Sequence, residues 1–294
     1  MGVAEDFARF RGSYIIPNET VSSISYRYRR ITRQLNRDFW NTESEVAHSI
    51  YVGSYGRDTA SRGISDLDVA IILPVTLYTQ FSRHQINGQS ALLQAVKRSI
   101  QKTYPTSAAS GDGQVVVTRF NDGITFEVLP VFNNTDGSSW TYPNANDGGS
   151  WKVCNPRAEI KAVNDRNAAT NGNLKNLCRM MRVWKKHCSV PISGMLLDTL
   201  AYQFIENYAH RDKSFLYHDL MARDFFDFLA RQDQKKTWWR APGSGSSVWR
   251  TGSFEHKARS AHLRAEEAVA HDKAGYDWSR RQKWREVFGA LYPN

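Results

Sequence analysis

The fold of this chain is decided by one stretch, Tyr51-Val-Gly-Ser-Tyr-Gly-Arg-Asp-Thr-Ala-Ser-Arg-Gly-Ile-Ser-Asp-Leu-Asp-Val-Ala-Ile-Ile-Leu-Pro74. A short apolar run over residues 49–52 turns through Gly53 and Ser54, and a loop rich in glycine and serine follows. The loop leads to the pattern Asp66-x-Asp68 and an apolar run over residues 69–73. The pattern predicts a β-strand that carries both carboxylates near its start.

Side chains alternate between the two faces of a strand, so Asp66 and Asp68 would point the same way, about 7 Å apart. Two such carboxylates repel each other unless a cation lies between them. Oxygen ligands on a rigid strand suit Mg²⁺ or Mn²⁺. The turn at Gly53 and Ser54 can offer backbone N–H groups and a hydroxyl to a phosphate. Together these features indicate phosphoryl or nucleotidyl transfer.

A third carboxylate lies in a predicted hairpin. Asp122-Gly123 separates two β-rich runs, residues 115–120 and 124–132, and Asp-Gly between such runs is a strong turn signal. Glu127 is the only charge in the second run, and a lone carboxylate in so apolar a strand is costly unless it is paired or binds a metal. Glu127 is therefore predicted as the third metal ligand; the alternative is an edge-strand glutamate that faces water.

Composition limits the class of protein. At 294 residues, 41% hydrophobic and 23% charged, the chain fits two modest globular domains. It has no apolar run of membrane-spanning length and no signal peptide, so no membrane association and a cytoplasmic location are expected. Cys154, Cys178 and Cys188 have no Cys-x-x-Cys pairing, which indicates reduced thiols rather than a zinc site or a disulfide framework.

The net charge of +10 is unevenly distributed. Residues 1–150 contain 14 Lys and Arg against 14 Asp and Glu, whereas residues 151–294 contain 25 against 15. This asymmetry predicts a catalytic lobe over residues 1–150 and a helical, nucleotide-binding lobe over residues 151–294 that neutralises polyphosphate. The alternative is that most of these cationic side chains lie on helix surfaces, where water solvates them.

Hydrophobic spacing predicts the remaining elements. A long helix from about Pro17 to Trp40, with a strongly basic polar face, would brace the two lobes. Other helices are predicted over residues 3–13, 90–104, 173–187, 195–208, 219–229, 254–272 and 279–291. Two polar stretches, residues 133–150 and 238–252, are predicted as loops, the first of them at the lobe boundary.

The ordered set of Gly53-Ser54, Asp66-x-Asp68 and a later strand carboxylate resembles the DNA polymerase β-like nucleotidyltransferases. Gly53-Ser-Tyr-Gly-Arg-Asp-Thr, Ser65-Asp-Leu-Asp and Phe126-Glu-Val-Leu-Pro-Val-Phe are similar to the cGAS/DncV-like nucleotidyltransferases (CD-NTases) of bacteria, with most similarity to the CdnE-like branch. The resemblance extends to Arg182-Val-Trp-Lys-Lys and to the closing Trp-Arg-Glu-Val-Phe-Gly-Ala-Leu-Tyr-Pro. It implies an α+β fold with a mixed sheet, a helical lobe and one active-site cleft between them.

The resemblance also implies an activity. Such enzymes condense NTPs into cyclic di- or trinucleotides that serve as second messengers in antiphage (CBASS) defence. By position, Gly53 and Ser54 would hold the donor triphosphate, and the catalytic residues Asp66, Asp68 and Glu127 would hold two Mg²⁺ or Mn²⁺ ions. The third acid is Asp in many relatives and Glu here, and the added methylene shifts its reach by about 1.5 Å.

Candidate nucleotide-binding residues in the second half are less sharply indicated. Lys185, with Arg182 and Lys186 as competitors, and Ser193 at the break before the next helix would contact phosphate. Asn164 and Asn167 would read a base edge, and Tyr202 would stack on a base. For the cations a solvated surface position is an equal alternative, and for the two asparagines and Tyr202 a structural role is the stronger one.

Three other functions remain open from the sequence. One is a linear synthase of the oligoadenylate synthetase type, and another is a smaller enzyme that modifies antibiotics or transfers AMP. The third is a non-catalytic nucleotide-binding module. A P-loop kinase is excluded because Gly-x-x-x-x-Gly-Lys is missing. ATP, with UTP, GTP or CTP, is the expected substrate; an effector would act through the product, and activation by a protein or a nucleic acid stays open.

Overall fold

The computed structural model describes residues 2–294 and confirms an α+β architecture. Eleven α-helices are described: α1 Val3–Tyr14, α2 Asn18–Trp40, α3 Gly53–Gly56, α4 Val75–Ser82, α5 Gly88–Thr103, α6 Pro156–Ala169, α7 Asn173–His187, α8 Gly194–Glu206, α9 His218–Ala230, α10 Glu255–Lys273 and α11 Asp277–Phe288. Nine strands accompany them: β1 Ser49–Tyr51, β2 Asp66–Ile72, β3 Ala108–Asp112, β4 Val115–Arg119, β5 Thr125–Asn133, β6 Trp140–Asn144, β7 Ser150–Cys154, β8 Trp238–Arg240 and β9 Ser247–Trp249.

Seven of these strands form one mixed sheet with the order β1-β2-β5-β4-β3, and β6 and β7 extend it from β5. Strands β2 and β5 pair in parallel, whereas the other neighbours are antiparallel. The predicted hairpin is confirmed as β4 and β5. Because β5 has β2 on one side and β4 on the other, Glu127 lies in an interior strand, and the edge-strand alternative is wrong.

The apolar run after Asp68 explains why β2 lies inside the sheet. Leu67, Val69 and Ile71 are almost fully buried, in one core with Ile31 of α2 and Val96 of α5. Burial on this scale contributes roughly 1.5–3 kcal/mol for each large aliphatic side chain. The strand carrying the two acids is therefore held rigidly by its own apolar residues.

Two compact units are distinguished by their internal contacts. Residues 17–57 and 63–160 form the first, here called the sheet unit, and residues 1–16, 58–62 and 161–294 form the second, here called the helical unit. These units do not coincide with residues 1–150 and 151–294. One reason is that Phe7 and Phe10 of α1 pack on aromatic rings of the C-terminal segment, including Trp284 and Phe288.

The helical unit has the core that its sequence predicts. The apolar stripe of α7 is confirmed, since Leu177, Met180, Met181 and Trp184 are all fully buried. The unit also contains a buried ion pair between Arg280 Nη2 of α11 and Asp6 Oδ2 of α1, 2.8 Å apart. Removal of one partner of such a pair strongly destabilises a fold, because the other charge stays buried.

Two predicted loops contain regular structure. The stretch 133–150 includes β6 and the start of β7, and the stretch 238–252 includes the β8–β9 hairpin. Few side chains in these two stretches are buried, so their composition is polar and does not indicate strands. Trp140 and Trp239 are buried exceptions. Helix α4, which begins just after Pro74, was not predicted because it has only 8 residues. Within residues 2–294, no helix is both long and apolar enough to span a membrane.

Candidate active site

The pairing of β2 with β5 brings two of the predicted acids together. In the parallel register Asp68 lies opposite Glu127, and Asp66 lies opposite Thr125. Adjacent strands are about 4.8 Å apart, and register partners project from the same face of a sheet. Asp66, Asp68 and Glu127 therefore share one face, within a few residues of the start of β2.

The electrostatics of Glu127 show that these acids interact. Its pKa is raised, first by burial and then by the negative charges of Asp68, Asp66 and Asp112, while Arg119 opposes the shift. Burial and like charges both disfavour an ionised carboxylate. Glu127 thus lies where a cation would be favoured, because a cation would offset both effects.

Gly53 is seated directly against this group. Its φ of +58° lies in the left-handed region, and a Cβ at this position would be 1.7 Å from Asp68 Oδ2. The neighbouring Val52 N–H donates to the backbone oxygen of Asp68 at 2.9 Å. Only glycine allows both the backbone conformation and the close approach. The predicted phosphate-binding turn and the second aspartate are therefore neighbours.

Ser54 and Asp66 complete the group in the sheet unit. Ser54 is the second residue of α3, a single helical turn, and is partly exposed. Asp66 is exposed at the first position of β2, where its Oδ2 accepts a hydrogen bond from Ser65 Oγ at 3.1 Å. Both residues are accessible to a solute.

The donor set fits a hard divalent cation by its chemistry, because every candidate ligand is a carboxylate oxygen. Over residues 2–294, however, no three or more His, Cys, Asp or Glu side chains are gathered tightly enough to hold a metal ion. Asp66, Asp68 and Glu127 share a face and interact electrostatically without forming a closed ligand cluster. Their role as metal ligands stays a prediction.

In the helical unit, Lys185 and Arg182 differ in their surroundings. The pKa of Lys185 is lowered by burial and by the positive charge of Arg182, which Asp198 opposes. Arg182 Nη2 lies 2.8 Å from Asp198 Oδ2 and donates to the Gly194 carbonyl at 3.3 Å. These contacts account for Arg182 without a nucleotide, so Lys185 is the better candidate for a phosphate contact.

The remaining predicted residues occupy different positions in the helical unit. Ser193 caps α8, since its Oγ accepts a hydrogen bond from Leu196 N at 3.1 Å. Asn167 Oδ1 accepts from Lys175 N at 3.0 Å, and Asn164 is exposed on α6. The ring of Tyr202 has the Arg166 guanidinium 4.3 Å from its centre. Asn164 is exposed, whereas Ser193, Asn167 and Tyr202 are only partly exposed.

Two residues that share a buried hydrogen bond, Thr59 and Asp198, were not predicted from the sequence as functional residues. Thr59 and Asp198 are both fully buried, and Thr59 Oγ1 donates to Asp198 Oδ2 at 2.6 Å. Asp198 is the only charge among residues 195–205. Like Glu127, Asp198 is a lone carboxylate in an apolar run, and this signal is visible in the sequence.

Comparison with known proteins supports the family that the sequence indicated. Residues 1–167 match the model of the Second Messenger Oligonucleotide or Dinucleotide Synthetase domain. A probable cyclic nucleotide synthase of Bacillus cereus (strain VD146) is 21% identical over 82% of this chain and 81% of its own length.

Solved structures of similar fold include two from bacteria. The CdnC:HORMA-deltaN complex of Escherichia coli MS115-1 has a TM-score of 0.71 at 14% identity, covering 99% of this chain and 98% of that one. Vibrio cholerae DncV cyclic AMP-GMP synthase, in complex with the linear intermediate 5' pppA(3',5')pG, has a TM-score of 0.71 at 13% identity, covering 96% and 93%. Assignment to the CdnE-like branch remains a prediction.

A domain match over more than half of the chain, together with the sheet, the acids and Gly53, shows that this protein belongs to the Second Messenger Oligonucleotide or Dinucleotide Synthetase family of CD-NTase nucleotidyltransferases.

Proposed function

We propose that this protein is a metal-dependent synthase that condenses NTPs into a cyclic di- or trinucleotide with release of pyrophosphate. The observation that carries the proposal is the placement of Gly53 against Asp68, which is itself in register with Glu127. That arrangement sets the Gly53-Ser54 turn, for which we propose phosphate binding, beside a group of carboxylates. The family match supports the same class of reaction.

The proposed reaction requires a ribose hydroxyl of one NTP to attack the α-phosphate of another while pyrophosphate leaves, and a last attack of the same kind within the linear product, which releases its remaining pyrophosphate and closes the ring. Gly53 and Ser54 would bind the donor triphosphate through backbone N–H groups and the serine hydroxyl. Asp66, Asp68 and Glu127 would hold two Mg²⁺ ions, or Mn²⁺, which when bound supply activation of the attacking oxygen and stabilisation of the leaving group. Catalysis then rests on positioning and on neutralisation of charge.

Glu127 has a specific part in this proposal. Its raised pKa means that it carries a proton over a wider pH range than an ordinary glutamate. A cation binds the ionised form, so cation binding and proton release from Glu127 are coupled. Activity is therefore expected to fall on the acidic side as Glu127 becomes protonated.

Nucleotide recognition by the helical unit is proposed for fewer residues than the sequence indicated. Lys185 is the candidate for neutralising phosphate, because Arg182 is engaged with Asp198. Asn164 is the candidate for a base edge, because the side chain of Asn167 is used within its own unit. Ser193 would contribute through the N-terminus of α8, a helix of 13 residues.

One experiment distinguishes the proposed product from its alternatives. The purified protein is incubated with each labelled NTP, singly and mixed, with Mg²⁺ or Mn²⁺, and the product is treated with phosphatase and identified by mass. A phosphatase-resistant product supports a cycle, and a sensitive ladder indicates a linear synthase. Absence of pyrophosphate, even with candidate activators added, points to a binding module.

The proposed biological setting follows from the family. The product would act as a second messenger in antiphage defence, and the effector would respond to the product without contacting the synthase. The CdnC structure of similar fold is a complex with HORMA-deltaN. We therefore propose that the NTP assay described above also be run with a candidate activating protein. No disulfide joins Cys154, Cys178 and Cys188 within the described residues, which accords with the proposed cytoplasmic setting.

A further inference from the structure

The connection between the Gly53-Ser54 turn and Asp66 is held more firmly than a surface loop. Its segment 58–62 belongs to the helical unit, although the residues on either side belong to the sheet unit. Thr59 and Ala60 are buried, with 0% and 6% of their surface exposed. Connecting loops usually run over the surface, so burial of this short segment requires specific partners.

The first partner is Arg179 of α7. Its Nη2 donates to the backbone oxygen of Asp58 at 2.8 Å and also pairs with the Asp58 carboxylate, and its Nε donates to the Ala60 carbonyl at 3.3 Å. Lys175 Nζ lies 3.2 Å from Asp58 Oδ2. Asp58 itself has a φ of +56°, a conformation that Asp tolerates better than most residues. These bonds fix the start of the segment on α7.

The second partner is Asp198 of α8. Its Oδ2 accepts from Thr59 Oγ1 at 2.6 Å and from Arg182 Nη2 at 2.8 Å, and Arg182 Nη2 lies 3.4 Å from Thr59 Oγ1. Thr59 and Asp198 are essentially inaccessible to solvent. Charge-assisted hydrogen bonds in such surroundings are strong and directional. At the far end of the segment, Arg62 N donates to the Tyr14 carbonyl at 2.7 Å.

We propose that Thr59, Asp198 and Arg182 form an anchor that positions the catalytic stretch from Gly53 to Asp68. Ser54 precedes Thr59 by five residues and Asp66 follows it by seven, so short stretches of chain join both to the anchor. The three residues are positioning residues: they act through the turn and the strand start on either side. This inference rests on the proposed function and adds the residues on which alignment of that site depends.

Thr59→Val tests the anchor with little change of shape, because it replaces only the hydroxyl by a methyl group. We expect kcat for NTP condensation to fall at least ~10-fold, since a misplacement of about 1 Å can cost on the order of 100-fold. The half-saturating Mg²⁺ concentration is expected to rise at least ~3-fold, because Asp66 follows the segment. Thr59→Ser keeps the hydroxyl, so its kcat and its half-saturating Mg²⁺ concentration should match those of the unchanged protein.

The matched control is Thr199→Val. Thr199 is as buried as Thr59 and lies next to Asp198, but among residues 2–294 its Oγ1 has no hydrogen-bond partner. The same chemical change there should leave kcat and the Mg²⁺ dependence unchanged. Circular dichroism and thermal midpoints of all variants show whether each is folded.

Hydrogen–deuterium exchange provides a readout that does not need activity. Amide exchange in the peptide covering residues 57–64 should be faster in Thr59→Val than in the unchanged protein or in Thr199→Val. Unchanged kcat and Mg²⁺ dependence in Thr59→Val overturn the proposal, as does failure of Thr59→Ser to restore them. If the unchanged protein condenses no NTP, the proposed function fails, and equal exchange in Thr59→Val then overturns the anchor on its own.

Discussion

Gly53→Ala is the sharpest test of how the proposed site is built. A Cβ at Gly53 would be 1.7 Å from Asp68 Oδ2, whereas non-bonded atoms prefer about 3.5 Å. The carboxylate must therefore move by nearly 2 Å. Since the nearest atom is the end of a side chain, Asp68 can rotate away and the fold should survive. The left-handed φ of +58° adds strain of about 1–2 kcal/mol for alanine.

The expected result is a folded protein with little activity. Displacement of a reacting group by more than ~1 Å predicts a loss of about 100-fold or more in kcat. The loss of stability should stay near the 1–2 kcal/mol of backbone strain. Pyrophosphate release at saturating NTP and Mg²⁺ measures the first quantity, and urea unfolding measures the second.

Gly123→Ala is the matched control in the same unit. Gly123 also has a positive φ, +84°, but a Cβ there would meet nothing within 4 Å. It should show similar strain and full activity. If Gly53→Ala keeps more than about a third of the activity, contact between Gly53 and Asp68 is not important for the reaction, and the proposed geometry is wrong.

Three further predictions concern charge. Asp66→Asn and Asp68→Asn should each abolish product while circular dichroism stays native; full activity in both would remove these residues from the mechanism. Glu127→Gln should raise the thermal midpoint near pH 7 without metal, because the raised pKa of Glu127 means that its ionisation weakens the fold as pH rises. It should also reduce the extra stabilisation by Mg²⁺, and an unaltered Mg²⁺ effect in a thermal-shift titration would argue against Glu127 as a ligand. Burial lowers the pKa of His218 to about 4, so the unfolded chain binds more protons between about pH 6.5 and 4, and the free energy of unfolding should fall by about 3 kcal/mol over that range. Urea unfolding at several pH values should show a smaller fall for His218→Gln, and an identical fall would assign the acid sensitivity to other groups.

Local patterns in the sequence predicted the elements that bear the site. The apolar run after Asp68 became β2, the Asp122-Gly123 turn joined β4 to β5, and the helix from Asn18 to Trp40 was anticipated to within a residue. These signals are reliable because periodicity and turn chemistry depend on near neighbours in the chain. They were weaker where strands are short and partly exposed, as in β7, β8 and β9.

By itself, then, the sequence determined which residues carry charge and phosphate-binding chemistry, and on which strands and turns they lie. Only the tertiary structure decided their neighbours: Asp68 opposite Glu127, Gly53 against Asp68, and Thr59 bonded to Asp198. The pairing of Asp68 with Glu127 depends on strand register. The contact of Gly53 with Asp68 depends on a close approach of the backbone, and the contact of Thr59 with Asp198 depends on a buried hydrogen bond. Such contacts join residues that are far apart or differently oriented along the chain, so no local pattern specifies them.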